Sequence, residues 1–196
     1  MSPACHVRML SGTERGAAAA LVWQAFSRKL GTALFPEPKA LAVLAQAIRP
    51  DCALAAASPG GAILGVAGFR LPCGAGLVEL GPEQLRPVYG RFGTLWRSWL
   101  LERFGREARD GELMLEALCV RSDLRGLGIG SRLIDGIETE ARRRGLGAIR
   151  LEVDDRNPRA RALYERRGYR AQEAVRAGPL APVLGFRRAT RLVHRL

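Results

Sequence analysis

Histidine, lysine and cysteine are scarce in this chain. Among its 196 residues the only histidines are His6 and His194, one near each end, which speaks against a histidine triad or a histidine-rich metal site. The four cysteines, at 5, 52, 73 and 119, form no CxxC pair and no finger spacing. Neither a zinc site nor a dense disulfide scaffold is therefore indicated, and buried thiols are expected. Long apolar runs are missing too: no stretch of eighteen uncharged apolar residues occurs, and the opening MSPACHVRML is interrupted by His6 and Arg8. The expectation is a cytoplasmic protein with neither a membrane span nor a secretory leader.

Lysine is limited to Lys29 and Lys39, so the formal charge of +12 is carried almost wholly by arginine. Such a charge favours an anionic partner, whether nucleic acid, membrane surface or a phosphorylated cofactor, without choosing among them. With 47% hydrophobic and 26% charged residues the composition is that of a folded globular chain, which excludes disorder and low complexity. The length fits one domain over 1–196 carrying an insertion.

Residues 5–10 read as a strand. Ser11 and Glu14 stand at capping-box spacing ahead of a helix over Ala17 to Phe26, and a second helix runs from about Lys39 to Ile48, before Pro50. The runs Ala53–Ala57 and Ala62–Phe69 flank Ser58-Pro59-Gly60-Gly61 as a hairpin. Between 72 and 111 the pattern breaks into a helical insertion, whose end, Thr94 to Phe104, has Leu95, Trp99 and Leu100 at helical spacing. Its aromatics, Tyr89, Phe92, Trp96, Trp99 and Phe104, are expected to pack as a lid against the sheet rather than to lie on a membrane. Leu113–Val120 reads as a strand broken by Glu116, and Ile129, Leu133, Ile134, Ile137 and Ala141 mark the buried stripe of a helix ending at Gly145. On its wet face Glu138/Arg142 and Glu140/Arg144 stand four apart, which makes the Arg142–Arg144 run a solvated helix end rather than a nucleic-acid patch. Ile149, Leu151 and Val153 alternate as a strand, Asn157-Pro158 opens a helix that Gly168 closes, and strands from Tyr169 and from Gly185 to Leu196 complete the chain.

The turn Arg125-Gly126-Leu127-Gly128-Ile129-Gly130, between strand and helix, suits a phosphate cradle. Its glycines let successive amides approach a pyrophosphate, and the helix that follows aims its positive end there. No Gly-Lys-Ser/Thr follows, and the glycines alternate rather than follow GxGxxG, so neither a Walker loop nor a dinucleotide fingerprint is present.

Leu118-Cys119-Val120, Arg125 to Gly130, and Asn157-Pro158 with Ala160 to Leu163-Tyr164 ahead of Gly168-Tyr169 together resemble the GNAT-type N-acetyltransferase superfamily. Its core motif, Gln/Arg-x-x-Gly-x-Gly/Ala, is met by Arg125 to Gly130, and its downstream signature by Asn157 to Tyr169. The strong part of the resemblance covers 113–169, and the segment 72–111 departs from the short turn usual there. The resemblance implies an α/β fold whose mixed central sheet, flanked by helices, is splayed where acetyl-CoA binds, with 113–169 as the cofactor-binding core. It implies that the backbone of Leu118, Cys119 and Val120 pairs with the pantetheine arm, a main-chain N–H polarising the thioester carbonyl. It further implies that the amides from Arg125, Gly126, Leu127, Gly128, Ile129, Gly130 and Ser131 hold the pyrophosphate. Asn157 would contact the cofactor, serve as a helix cap, or both, and Arg125 is a phosphate ligand or a solvated charge.

Acetyl transfer to an amine needs a neutral nucleophile, a polarised carbonyl and an acid for the departing thiolate. Tyr164 matches the family's acid position, and a phenol can protonate a thiolate. Glu116 is the leading base, because a carboxylate inside an apolar run is costly to bury unless paired or open to a cavity; Glu79 is second. Cys119 reads as a packing thiol rather than an acyl carrier. The insertion, with Tyr89, Trp96 and Trp99, is expected to form part of the acceptor site. The expected activity is acetyl-CoA-dependent transfer to a primary amine on a small molecule or peptide. Two alternatives are a nicotinamide or flavin oxidoreductase using Asp154 or Asp155 as ribose ligand, and a silent nucleic-acid-binding protein. Nucleic acid and membrane are not the expected partners, and a homodimer stays open.

Overall fold

The computed structural model describes residues 4–102, 108–176 and 188–196. Seven strands, β1 (His6–Met9), β2 (Ala53–Ala57), β3 (Ile63–Arg70), β4 (Glu112–Val120), β5 (Ala148–Asp154), β6 (Arg170–Arg176) and β7 (Arg188–Arg195), form one sheet in the order β1-β2-β3-β4-β5-β7-β6. Among the described residues the only parallel neighbours in it are β4 and β5. Five helices flank the sheet: α1 (Arg15–Leu34), α2 (Glu37–Ala47), α3 (Pro82–Glu102), α4 (Ile129–Arg143) and α5 (Pro158–Arg166).

Two apolar layers sandwich the sheet. On one face α1 and α2 bury Leu21, Val22, Val43 and Leu44 against Ala53, Ala55, Val66 and Ala117. On the other the α4 stripe of Ile129, Leu133, Ile134, Ile137 and Ala141 is buried as its 3.6-residue spacing requires. Alanine-rich β2, buried along its whole length, leaves room for helices on both faces. At the end of α4, Arg144 donates to Glu140 at 2.6 Å, as spacing predicts, whereas Glu138 faces Arg167 at 4.0 Å.

β4 does not alternate simply. Gly68 of β3 pairs with Ala117 but Phe69 pairs with Leu115, so Glu116 is bulged out of the ladder. An extra residue shifts the side-chain parity: Leu113 and Leu115 lie in the α4 layer, whereas Ala117 and Cys119 lie in the α1–α2 layer. Opposite the bulge, the β3–β4 connection returns over β3 so closely that a Cβ on Gly68 would stand 2.3 Å from Leu77 Cδ2.

α1 runs eight residues past Phe26, the limit read from its apolar stretch, because its last turns keep a buried edge at Ala33 and Leu34. The insertion is more helical than expected: α3 begins at Pro82 and breaks at Gly90, whose φ of 68° ends one segment and starts the next. Its packing also differs from the expectation. Leu85 and Leu100 are buried and Tyr89 packs partly against the core, but Phe92, Leu95, Trp96 and Trp99 are exposed, Phe92 at 87%. They do not form a lid on the sheet; Phe104 lies outside the described residues, as do residues 185–187 of the last expected strand. Of the thiols, Cys52 and Cys119 are buried as expected, but Cys73 is exposed and Cys5 half-buried; all four are free. No helix among the described residues is long and apolar enough to cross a membrane.

Two consequences can be measured. Gly68→Ala should lower stability by about 1–3 kcal/mol, since the methyl overpacks against Leu77; an unchanged Tm would mean that the connection is not held there. The Glu14 carboxylate, which accepts from Arg8 at 2.6 Å and from the Ser11 N–H at 2.9 Å, is held at about 2 chiefly by its hydrogen bond from Arg8. A carboxyl depressed below its unfolded value of about 4.3 stabilises the fold above that pH and loses its effect as pH falls toward the folded value. The stability difference between wild type and Glu14→Gln should therefore shrink between pH 4.5 and 2, and a difference constant with pH would show that the pair contributes nothing.

Candidate active site

β4 and β5 pair from Glu112/Ala148 only as far as Leu115/Leu151. Beyond that point β5 stays paired with β7 through Asp154, while β4 stays paired with β3 through Val120. The two strands part into a cleft of about 440 Å³ walled by Glu116 to Leu118 on one side and Glu152 to Asp154 on the other. On its cleft side β4 has no ladder partner past Leu115 among the described residues. Such an edge is suited to an extended ligand that carries amides, because main-chain polar groups demand partners.

At the end of β4 the chain turns into α4. Gly128 is the N-cap, in the left-handed region at φ 81°, and offers no side-chain cap; Gly126 is left-handed as well, at φ 83°. The first helix-closing bond at this end runs from Arg132 N–H to Gly128 carbonyl at 3.2 Å, so the amides of Ile129, Gly130 and Ser131 are the ones a helix leaves to a ligand or water. The Ile129 side chain is core. Its predicted contribution is thus confined to its backbone. Arg125 is exposed and donates from Nε to the Val120 carbonyl at 3.4 Å, which ties it to the strand end. Leu127 and Ser131 are half-buried.

α5 closes the other side. Asn157 Oδ1 accepts the Ala160 N–H at 3.1 Å and the residue also lines the cleft, so it is a cap and a wall residue together. Tyr164 lines the cleft from the end of α5. It is buried, 7% exposed, and its ring packs against Tyr169 at 5.5 Å between centroids, which stacks in turn on His194. Burial pushes the Tyr164 phenol well above its usual range, with a smaller push from Cys119. Burial likewise takes the Cys119 thiol up to about 12, which leaves it no thiolate at neutral pH.

Glu116 stands where the cleft meets a second cavity of about 310 Å³. Bulged out of β4, its carboxylate accepts from Arg70 Nε at 2.6 Å on Oε1 and from the Leu77 N–H at 2.9 Å on Oε2. The price of burying it in an apolar run is thus offset by pairing and by cavity exposure together. Glu79, the second base considered, faces Arg49 at 2.8 Å, half-exposed, and lines neither cavity. Nor do Tyr89, Trp96 and Trp99. The Tyr89 hydroxyl donates to the Leu34 carbonyl, with the Arg97 guanidinium 3.8 Å from its ring centre, and Trp96 and Trp99 lie on the exposed side of α3. The insertion reaches the second cavity through Leu77, Val78, Leu80 and Leu101 instead.

The sequence reading missed α1. Ala25, Phe26, Arg28 and Lys29 wall the cleft, and the only sequence signal was the Arg28-Lys29 pair at the end of an apolar stretch. It also left Asp154 and Arg156, which pair at 2.9 Å on the cleft rim, outside the favoured site. Asp155 accepts from the Thr190 hydroxyl at 2.9 Å. No group of three or more His, Cys, Asp or Glu side chains able to hold a metal occurs among the described residues.

Residues 17–169 match the Acetyltransferase (GNAT) family. Solved structures of similar fold include an N-acetyltransferase from Staphylococcus aureus Mu50, 16% identical over 96% of this chain and 100% of that one, with a TM-score of 0.67. A GCN5-related N-acetyltransferase from Kribbella flavida is 20% identical over 98% of each chain, with a TM-score of 0.61. The ribosomal-protein-S18-alanine N-acetyltransferase from Escherichia coli is 19% identical over 98% of this chain and 94% of its own, at 0.57. At such identities the likeness carries the fold. None of the curated proteins matches the sequence.

The cradle can be tested with two methyl groups. A side chain at Gly130 would make only ordinary contacts, 3.6 Å to Leu163 and 3.8 Å to Leu118, so Gly130→Ala should keep both stability and acetyl-CoA affinity. Gly128→Ala forces an L-residue into the left-handed region at about 1–2 kcal/mol, and should weaken acetyl-CoA binding tenfold or more in calorimetry. Equal affinities for the two variants would dissociate the turn from phosphate binding.

Proposed function

Because the chain belongs to the GNAT acetyltransferase family, whose acetyl donor is acetyl-CoA, we propose that it transfers an acetyl group to a primary amine by direct attack of the amine on the thioester in the cleft between β4 and β5. The observation that carries this reading is the parting of β4 from β5 with Tyr164 buried across the gap and Glu116 at its inner end. The residues fit the donor: helix-end amides beside an N-cap without a side chain for its phosphates, and an unpartnered strand edge for its amide-bearing arm. When bound, the donor supplies an activated acyl carbon and a thiolate leaving group.

The chain's own groups then divide the proton work. Leu118 and Val120 offer main-chain groups on the open edge of β4, among them the N–H assigned to polarising the carbonyl oxygen, while Cys119 between them pairs with Val66 of β3. Glu116 receives a proton from the acceptor's ammonium, directly or through water, since each of its oxygens keeps a lone pair beyond the bonds from Arg70 and Leu77. Tyr164 gives its phenolic proton to the departing sulfur. A phenol raised above its ordinary value would be a poor acid toward a thiolate in water, but burial disfavours any thiolate in the same wall. Burial likewise raises the neighbouring Cys119 thiol.

Neither alternative gains support. Asp154 and Asp155, the ribose ligands an oxidoreductase would need, are engaged with Arg156 and Thr190, and the family match covers the glycine turn itself.

Tyr164→Phe should lower kcat on the order of 10²–10⁴-fold, the usual contribution of a general acid. Acetyl-CoA affinity should stay within a few-fold, since the ring remains packed on Tyr169. Near wild-type turnover in the Phe variant would assign the proton to water and leave Tyr164 a packing residue.

A further inference from the structure

The second cavity is a half-open pocket whose wall is apolar away from the cleft. Its wall comes from α1 (Val22, Leu30), α2 (Leu44), the β3–β4 connection (Val78, Leu80) and α3 (Leu101). Its charged groups, Lys29, Arg70 and Glu116, belong to the end that adjoins the cleft: Phe26, Lys29, Glu116 and Ala117 line both spaces, and Arg70 is bound to Glu116. Resting on the activity proposed above, we propose that the acceptor is a small primary amine with one uncharged alkyl or aryl body, seated in this cavity with its nitrogen at Glu116.

Three considerations select that class. A volume of about 310 Å³ lies at the small end of ligand sites and suits a body the size of one large apolar side chain. A polyamine or aminoglycoside would place a second ammonium among leucines and valines, where no described wall residue but Glu116 carries a carboxylate, or beside Lys29 and Arg70, where like charge opposes it. A peptide N-terminus would bring main-chain amides into the same wall, and each amide buried without a partner is unfavourable. A single nitrogen, by contrast, finds the free lone pairs of Glu116 at the boundary with the cleft, and its body finds the leucine and valine side chains of the wall.

The experiment follows thiol release from acetyl-CoA by the 196-residue chain. Acceptors are straight-chain amines from propylamine to octylamine, 2-phenylethylamine, spermidine and a tripeptide beginning with phenylalanine. Along the alkyl series kcat/KM should climb by about fourfold per methylene buried and level off once the cavity is filled, with spermidine and the tripeptide at least tenfold below the best monoamine. Val78→Asp should raise the KM for hexylamine tenfold or more while acetyl-CoA affinity, read by calorimetry, stays unchanged; Leu80→Ser, at a half-buried position, serves if the aspartate variant does not fold. A flat alkyl series, a preference for spermidine or the tripeptide, or a KM indifferent to both substitutions overturns the acceptor assignment while bound acetyl-CoA leaves the activity standing. Failure of the wild-type chain to bind acetyl-CoA overturns both.

Discussion

Everything at the site follows from β4 and β5 pairing over four residues and then parting. Parallel strands normally stay paired because each main-chain N–H and C=O needs a partner. Here each strand keeps a full ladder on its outer side, β4 with β3 and β5 with β7, so the sheet survives the gap between them. The gap leaves one strand edge facing a cleft, and α5, which follows β5, brings its cap Asn157 and the Tyr164 ring to it.

The bulge at Glu116 is the second half of the same device. One extra residue turns β4's alternation over, so that Leu115 belongs to the α4 layer and Ala117 to the α1–α2 layer. In the same step it sets a carboxylate at the wall between two cavities. The connection that follows β3 holds that carboxylate with Arg70 from the strand end and the Leu77 amide, and Gly68 gives Leu77 the room to do so. The departure from the family's short turn at 72–111 is thus what closes one side of the second cavity.

Charge has a local reading as well. Several arginines engage carboxylates on the surface, as Arg49, Arg121 and Arg161 do. Exposed pairs of this kind contribute little to stability.

Local order along the chain was legible wherever chemistry is local. The α4 stripe, the Asn157-Pro158 start of α5 and the glycine turn each obey rules that act within a few residues, and Tyr164 and Glu116 stood out for their register and for a charge within an apolar run. The insertion's aromatics misled, because a helix's sequence shows which residues share a face but not which face the sheet covers. The bulge, the extent of β4–β5 pairing and the α1 wall of Phe26, Arg28 and Lys29 depend on contacts between segments distant in the sequence. Strand parity and the shape of a cavity are properties of packing, and only the tertiary structure decides them.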